Sequence, residues 1–522
     1  MLTKEMSALQ LKIRMIYYCA YVIAGVVVYC IPLRAPMMGY DGYIFTVLGF
    51  WGVGLIAWDF FTSRSLFQIP YADILVAFFA ACMIGIVINR QYSFASNIKG
   101  LLWVAIQTFL FAAIVTRTRG KSVLKWFHML SDIFIAIWLA GVVWALGQYC
   151  VQYADVRDIV VGLDGVIQTL RVGFMQGRLF GIFLDPNYAS VCSLIAIALS
   201  ACNFISANRP RPVKGYYILS IILQIFYVVL SGSRTGLLAG VVVAALCAAF
   251  LLTKRFGRPR QAKHSGKING GLFLAVGALS VLILLGGYRV TQTALSYVPN
   301  LVSSVTQLFE QSEEPDVQPT PGGPSDGEDD RQHEGNTPVD LDRTDVTESD
   351  DVTNHRVSIW SDYLELVKET PWFGTTARGY TDWAKKVIPD SFVVERGYSP
   401  HNGYLMLLVA SGVIGFGLMM VWMALIVWKV LSYLIRRWDS RDEYYWPVYI
   451  CAMALAVIAI SAFPLQSIFF SHQIPDTMFW VLLGFALCFM RCSEPEKYQS
   501  NGLMFRLLEK LFQKRKGRVK GV

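Results

Sequence analysis

Residues 402–428 read NGYLMLLVASGVIGFGLMMVWMALIVW, without one Asp, Glu, Lys or Arg. A helix needs about 20 apolar residues to cross a bilayer, and this block exceeds that. Eleven further apolar blocks lie at roughly 15–33, 39–58, 71–88, 98–116, 128–149, 187–206, 216–231, 235–252, 271–287, 446–464 and 474–490. The pair 216–231 and 235–252 also admits a single re-entrant feature, broken at Ser231-Gly232-Ser233. Composition agrees with the blocks. Of 522 residues 55% are hydrophobic and 16% charged, against about 45–50% and 25% in a soluble domain. The expected fold is an all-α polytopic membrane protein of about 12 transmembrane helices, with one long extracytoplasmic loop between helices 9 and 10.

Basic residues orient the spans. If the amino terminus is cytoplasmic and the spans alternate, inside segments hold 30 of the 46 Lys and Arg and outside segments 16. Both termini are then cytoplasmic, and Lys4, Lys12 and Arg14 precede an uncleaved first span, since no small-residue cleavage site follows it. The net charge of +9 therefore reads as loops beside anionic lipid, not as a nucleic-acid surface. The ten cysteines lie in or beside apolar blocks, where they act as small hydrophobes, so neither a disulfide framework nor a thiol site is expected.

The expected organisation is helices 1–9 over 1–287, an extracytoplasmic loop over 288–401, helices 10–12 over 402–490 and a basic cytoplasmic tail over 491–522. Within the loop, 310–351 holds 15 acidic and 2 basic residues, five prolines and no aromatic residue. That composition buries too little apolar surface to fold, so a disordered acidic insert is expected. After it, Ile359, Tyr363 and Val367 recur every four residues until Pro371, predicting an amphipathic helix near 355–369. Leu503, Leu507 and Leu511 repeat likewise before Lys514, Arg515 and Lys516, which suits an interfacial helix or a solvated basic tail.

Ionisable residues are scarce near mid-span, which shifts weight away from proton-coupled carriers and channels. Polar clusters sit at the outer ends of spans instead. The first runs from Arg178 to Asn187; there Asp185 suits a helix N-cap and Pro186 the first turn. Arg178 and Arg171 either snorkel to lipid head groups or hold an anion. The second is Ser231-Gly232-Ser233-Arg234-Thr235-Gly236, a tight turn whose outside arginine runs against the charge bias; it is an ordinary turn or an anion site at a helix N-terminus. Arg356, alone, reads as a surface arginine. His401-Asn402-Gly403-Tyr404-Leu405 opens the tenth span. Its imidazole can take a proton near neutral pH or be tied to a backbone group. Gly412 and Gly415 suit close helix packing. No His-x-x-x-His or paired-cysteine metal box is present, and no metal is expected.

In this order and topology the clusters resemble the O-antigen ligase and polysaccharide polymerase family of bacterial envelope enzymes. The matching features are Arg178-x-x-Gly181 with Asp185-Pro186-Asn187, Ser231-x-Ser233-Arg234-x-Gly236, Arg356-x-x-x-Trp360 with Pro371 and Gly374 behind, and His401-Asn402-x-x-Leu405 with Gly412-x-x-Gly415. They cover roughly 170–425. Two features depart from the pattern: the acidic insert, and Gly374-Thr375-Thr376 where a Gly-x-Gly is more usual.

The resemblance implies an enzyme of the bacterial cytoplasmic membrane that needs no cofactor. It would move a glycan from a polyprenyl-diphosphate carrier to a hydroxyl of a glycan or glycolipid acceptor, within membrane lipid, as polymerase, ligase or protein-glycosylating enzyme. The leaving diphosphate calls for cations, and planar guanidinium forks suit phosphate oxygens. Arg234 and Arg356 are the expected catalytic cations, with Arg178, Arg171, Asn187 and Asn402 as substrate-binding residues and His401 as the base. His355 and His472 are also expected outside but match no family position. The competing readings are a polysaccharide transporter or flippase, whose internal repeats and charged midplane cavity are not found in the sequence, and a non-catalytic anchor for the acidic loop.

Overall fold

The computed structural model describes residues 5–34, 41–62, 68–114, 116, 118–161, 166–256, 270–313, 338–344, 355–438, 442–471 and 473–495. Helices dominate: α1 (Ala8–Tyr29), α2 (Ile31–Arg34), α3 (Asp41–Thr62), α4 (Ala72–Ile88), α5 (Phe94–Ala105), α6 (Gly120–Cys150), α7 (Pro186–Ser206), α8 (Arg211–Leu230), α9 (Arg234–Phe256), α10 (Gly270–Ser296), α11 (Val298–Glu313), α12 (Arg356–Glu369), α13 (Tyr380–Val387), α14 (Phe392–Arg396), α15 (Gly403–Arg436), α16 (Tyr445–Ser461) and α17 (Ile474–Ser493). A π-helical segment, Ile106–Phe111, prolongs α5.

Among the described residues, ten helical stretches are long and apolar enough to cross a membrane. The chain is an all-α polytopic membrane protein, as its apolar blocks foretold. The remaining two expected spans, α4 and α16, have 17 residues each. At 1.5 Å per residue they fall short of a bilayer core about 30 Å thick. Both stop beneath the same region: Asn89, just past α4, donates to Gly374 O of the long loop, and α16 is followed by the loop over 462–471. The re-entrant alternative at Ser231 is not what forms. α8 and α9 are separate helices of 20 and 23 residues.

One element departs from the helical expectation. β1 (Ala154–Val161), β2 (Val166–Met175) and β3 (Arg178–Gly181) form an antiparallel sheet in that order, capping the bundle between α6 and α7. Leu170 and Val172 of β2 are buried against Ile31, while Arg171 between them is exposed. This is the period-2 alternation of a half-buried strand.

The long loop folds onto the helix that follows it. Ile359, Tyr363 and Leu366 of α12 share a small core with Ala384 of α13, Val393 of α14, and Leu405 and Val409 of α15. Each of the three, fully buried, contributes about 1.5–3 kcal/mol. The loop is thereby fixed to the first turns of α15. The expected acidic insert lies mostly outside the described residues, as does the basic tail beyond 495. At its edges, however, Glu310–Glu313 belong to α11, and 338–344 lie against the bundle, with Val339 N donating to Ser296 O at 3.0 Å. That docked end is a departure from a wholly disordered insert: its backbone bonds need no apolar composition.

Candidate functional site

The Ser231–Gly236 turn explains itself residue by residue. Ser231 Oγ donates to Val228 O and closes α8, and Gly232 takes φ +58°, a left-handed conformation that a side chain disfavours. Ser233 Oγ accepts from Gly236 N at 3.0 Å and so caps α9. Arg234 is thus held, exposed, on the first residue of α9, where the helix N-terminus adds positive potential.

Arg178 is buried across three elements. From β3 its Nε donates to Ser231 O at 3.1 Å and its Nη2 to Asn187 Oδ1 at 3.1 Å on α7. Its guanidinium lies 5.5 Å from the Phe180 ring. Asp185 is the N-cap of α7, accepting from Asn187 N at 2.6 Å with Pro186 in the first turn. Tyr29 of α1 donates to Asp185 O at 2.7 Å, which ties this corner to the bundle.

A cavity of about 590 Å³ opens beside Asp185 and Asn187. Arg356 and His355 of the long loop line it from one side, and His401 before α15 from another. Residues three sequence-distant clusters apart therefore share one space. The far wall comes from the α16–α17 loop, including Leu465, Gln466 and Ser471. Asp476 holds that loop by accepting from Ile468 N and from Gln473 N, and Tyr188 of α7 donates to Gln466 O at 2.9 Å.

Arg356 opens α12 after His355, whose φ is +61°. Burial and then the neighbouring Arg234 push its pKa below the ordinary guanidinium range; Asp185 opposes this and Arg343 adds to it. The cations are thus close enough to destabilise one another, a tension that an anion between them would relieve. His401 sits at φ +46°, with Tyr398 edge-on at 6.0 Å. Its ring opens onto the cavity, yet the surrounding walls, and next Arg356, lower its pKa below the usual histidine value, against the pull of Asp185. Both effects bias the imidazole toward its neutral form.

Four sequence-derived candidates are not among the cavity's lining residues: Arg178, which bonds the lining Asn187, Arg234, whose charge acts on the lining Arg356, and Arg171 and Asn402. Arg171 is exposed on β2, 5.8 Å from the Phe180 ring, and is not among the cavity's lining residues. Asn402 is the N-cap of α15: its Oδ1 accepts from Tyr404 N and Leu405 N, both at 3.0 Å. It aims the helix that follows His401 and does not line the cavity. His472 lies outside the described residues. Conversely, His355, Arg378, Tyr398 and Gln466 line the cavity without a motif to announce them. Gly412 also differs from expectation. It has φ +64°, and a Cβ there would meet Trp372 O at 2.4 Å, so loop approach and backbone conformation explain it, not helix packing. Among the described residues, no group of three or more His, Cys, Asp or Glu could hold a metal ion.

No curated protein matches the chain. A family model described as O-antigen ligase matches residues 219–420, a stretch that contains Arg234, Arg356 and His401. Over that stretch the chain is similar to the O-antigen ligase family, and its apolar helical bundle suits a membrane enzyme of polysaccharide assembly.

Proposed function

We propose that the chain transfers a glycan from a polyprenyl-diphosphate carrier to an acceptor sugar hydroxyl, with inversion at the anomeric carbon. The observation that carries this reading is the cavity shared by Asp185, Asn187, Arg356 and His401. His401 accepts the proton of the acceptor hydroxyl. The acceptor oxygen then bonds to the anomeric carbon while the bond from that carbon to the diphosphate oxygen breaks. The electron pair leaves with the diphosphate, and Arg356, Arg234 and Arg178 neutralise the charge that develops. Guanidinium forks suit this role because they offer paired donors to phosphate oxygens. The phosphoglycosyl bond supplies the driving force.

Attack opposite the leaving group accounts for the inversion, and the residues named supply base and charge without a metal. The basic-residue bias supports a cavity on the outer side of a bacterial cytoplasmic membrane with both termini inside, and 288–401 outside. Labelling from outside then modifies Cys at Ser325 and spares Cys at Ser265; the reverse pattern removes the site from the side where the donor would stand.

The decisive experiment is transfer by the purified protein in proteoliposomes, from a polyprenyl-diphosphate-linked glycan to a glycan or glycolipid acceptor. The wild type gives product of inverted anomeric configuration, and His401→Ala still binds donor but turns it over slowly. Retained configuration, or an unimpaired His401→Ala enzyme, contradicts the reading.

A further inference from the structure

Arg343 belongs to the acidic insert, outside every motif in the sequence, yet the fold brings it to the cation cluster. Three contacts seat the 338–344 segment. Val339 N donates to Ser296 O at the end of α10. Leu341 packs, half-buried, against the main core. The backbone of Asp342 lies on Gly177 in the β2–β3 turn, so closely that a Cβ there would meet Asp342 O at 2.0 Å.

From that seat Arg343 reaches across the α8–α9 turn. Its Nη1 donates to Gly232 O at 3.2 Å. A Cβ on Gly232 would touch Arg178 Cγ at 3.0 Å and Arg343 Cδ at 3.4 Å, so the two arginine stems cross the same glycine. Arg343 also contributes to depressing the pKa of Arg356, which lines the cavity. Asp342, next to it, has its backbone committed to the β2–β3 turn.

We propose that Arg343 is a further binding residue for the diphosphate of the donor, carried to the Arg178–Gly232–Arg356 corner by the docked end of the acidic insert. This rests on the donor reading given above. A guanidinium has five N–H donors in a fixed fork. Gly232 O holds the head beside Arg178 and within electrostatic reach of Arg356, the corner where the proposed diphosphate would sit. The insert is on this view part of the donor site and not only a solvated excursion from it.

The test uses full-length protein in lipid nanodiscs, titrated with a glycan-free polyprenyl diphosphate and with the matching monophosphate. Arg343→Gln is expected to raise the Kd for the diphosphate about ten- to hundredfold, and to affect the monophosphate less. Arg343→Lys recovers part of the loss, and the thermal midpoint stays put in both variants. A lowered midpoint with an unchanged Kd means that Arg343 merely caps α8, and overturns the proposal. A wild type that binds the diphosphate no better than the Gln variant does also overturns it. A wild type that binds neither lipid defeats the donor reading and the Arg343 role with it.

Discussion

The two ends of the helical bundle gather their charges differently. At the end where α1 begins and α3 stops, cations meet carboxylates. Arg14 pairs with Asp59, both buried, and also donates to Leu110 O and Ala113 O, carbonyls in and just after the π-helical segment. Arg209 pairs with Asp132, which also accepts from Tyr217 and Asn203. Arg436 and Arg437 share Glu494 at 2.9 and 3.0 Å. At the opposite end Arg178, Arg234, Arg343 and Arg356 converge, and the carboxylate that opposes them at Arg356 is Asp185, whose Oδ1 already caps α7. Charge matched inside the protein serves architecture. Guanidinium groups crowded beside a cavity fit the proposed donor, whose diphosphate would come from outside the chain.

Substitutions at the two ends should therefore fail differently. His401→Ala is expected to lower turnover by about 10²–10⁴-fold with an unchanged thermal midpoint. The pH–rate profile adds a sign: burial and Arg356 lower the His401 pKa, so the acid limb lies below the ordinary value of about 6.5. Activity falls as pH drops through that lowered value; a rate that rises on acidification would assign His401 to the anion-binding set instead. At the matched end, Asp59→Ala strands the buried Arg14 and should lose about 3–5 kcal/mol of stability, read as yield and thermal midpoint, while kcat/KM of the folded fraction holds. If Asp59→Ala instead damages turnover alone, the division between the ends is wrong.

Arg234→Lys comes next and should transfer glycan about as poorly as Arg234→Ala, because a point charge does not replace a planar fork. Full activity with Lys would reduce the requirement to charge alone. The smallest effect is expected from deleting 314–336, which leaves the seat at 338–344 in place: transfer rates should match the wild type. Extending the deletion through Thr344 removes Arg343 and should weaken donor use. Equal rates for both deletions would return the whole insert to the surface.

Much of this was legible in the chain. Twelve apolar blocks became helices because a bilayer demands length and apolarity and little else. Asp185-Pro186 announced a helix start, and α7 starts there. Arg178, Asn187, Arg356 and His401 share a corner, although their spacing in sequence gives no distance. The sheet was missed because its signal is brief: Leu170 and Val172 buried around an exposed Arg171, in a stretch short enough to pass for a loop. Asn402 caps α15, a role that its place in the motif does not announce. Arg343 was hidden by averaging, since a composition taken over 310–351 is blind to seven residues held by two backbone contacts and by Leu341. His355 and Arg378 reach the cavity only through the folding of α12 to α14 onto α15.

The break at Gly412 has a consequence for how the protein is made. Around it the ladder of α15 is interrupted, and the loop fills the gap. Val413 N donates to Pro371 O at 2.7 Å, Ile414 N to Trp372 O at 3.3 Å, Thr375 N to Val409 O at 2.8 Å and Thr376 N to Ala410 O at 3.1 Å. A helix threaded into lipid before its loop arrives would leave those amides and carbonyls without partners, at several kcal/mol per group in hydrocarbon. Biogenesis is thereby ordered. α15 either stays sheltered against α4 until 371–376 closes over it, or inserts as an unbroken helix and opens when the loop docks. Either way, docking of the loop is part of building the cavity beside His401, so a membrane-inserted chain without its loop in place lacks the wall that His355, Arg356 and Tyr398 supply.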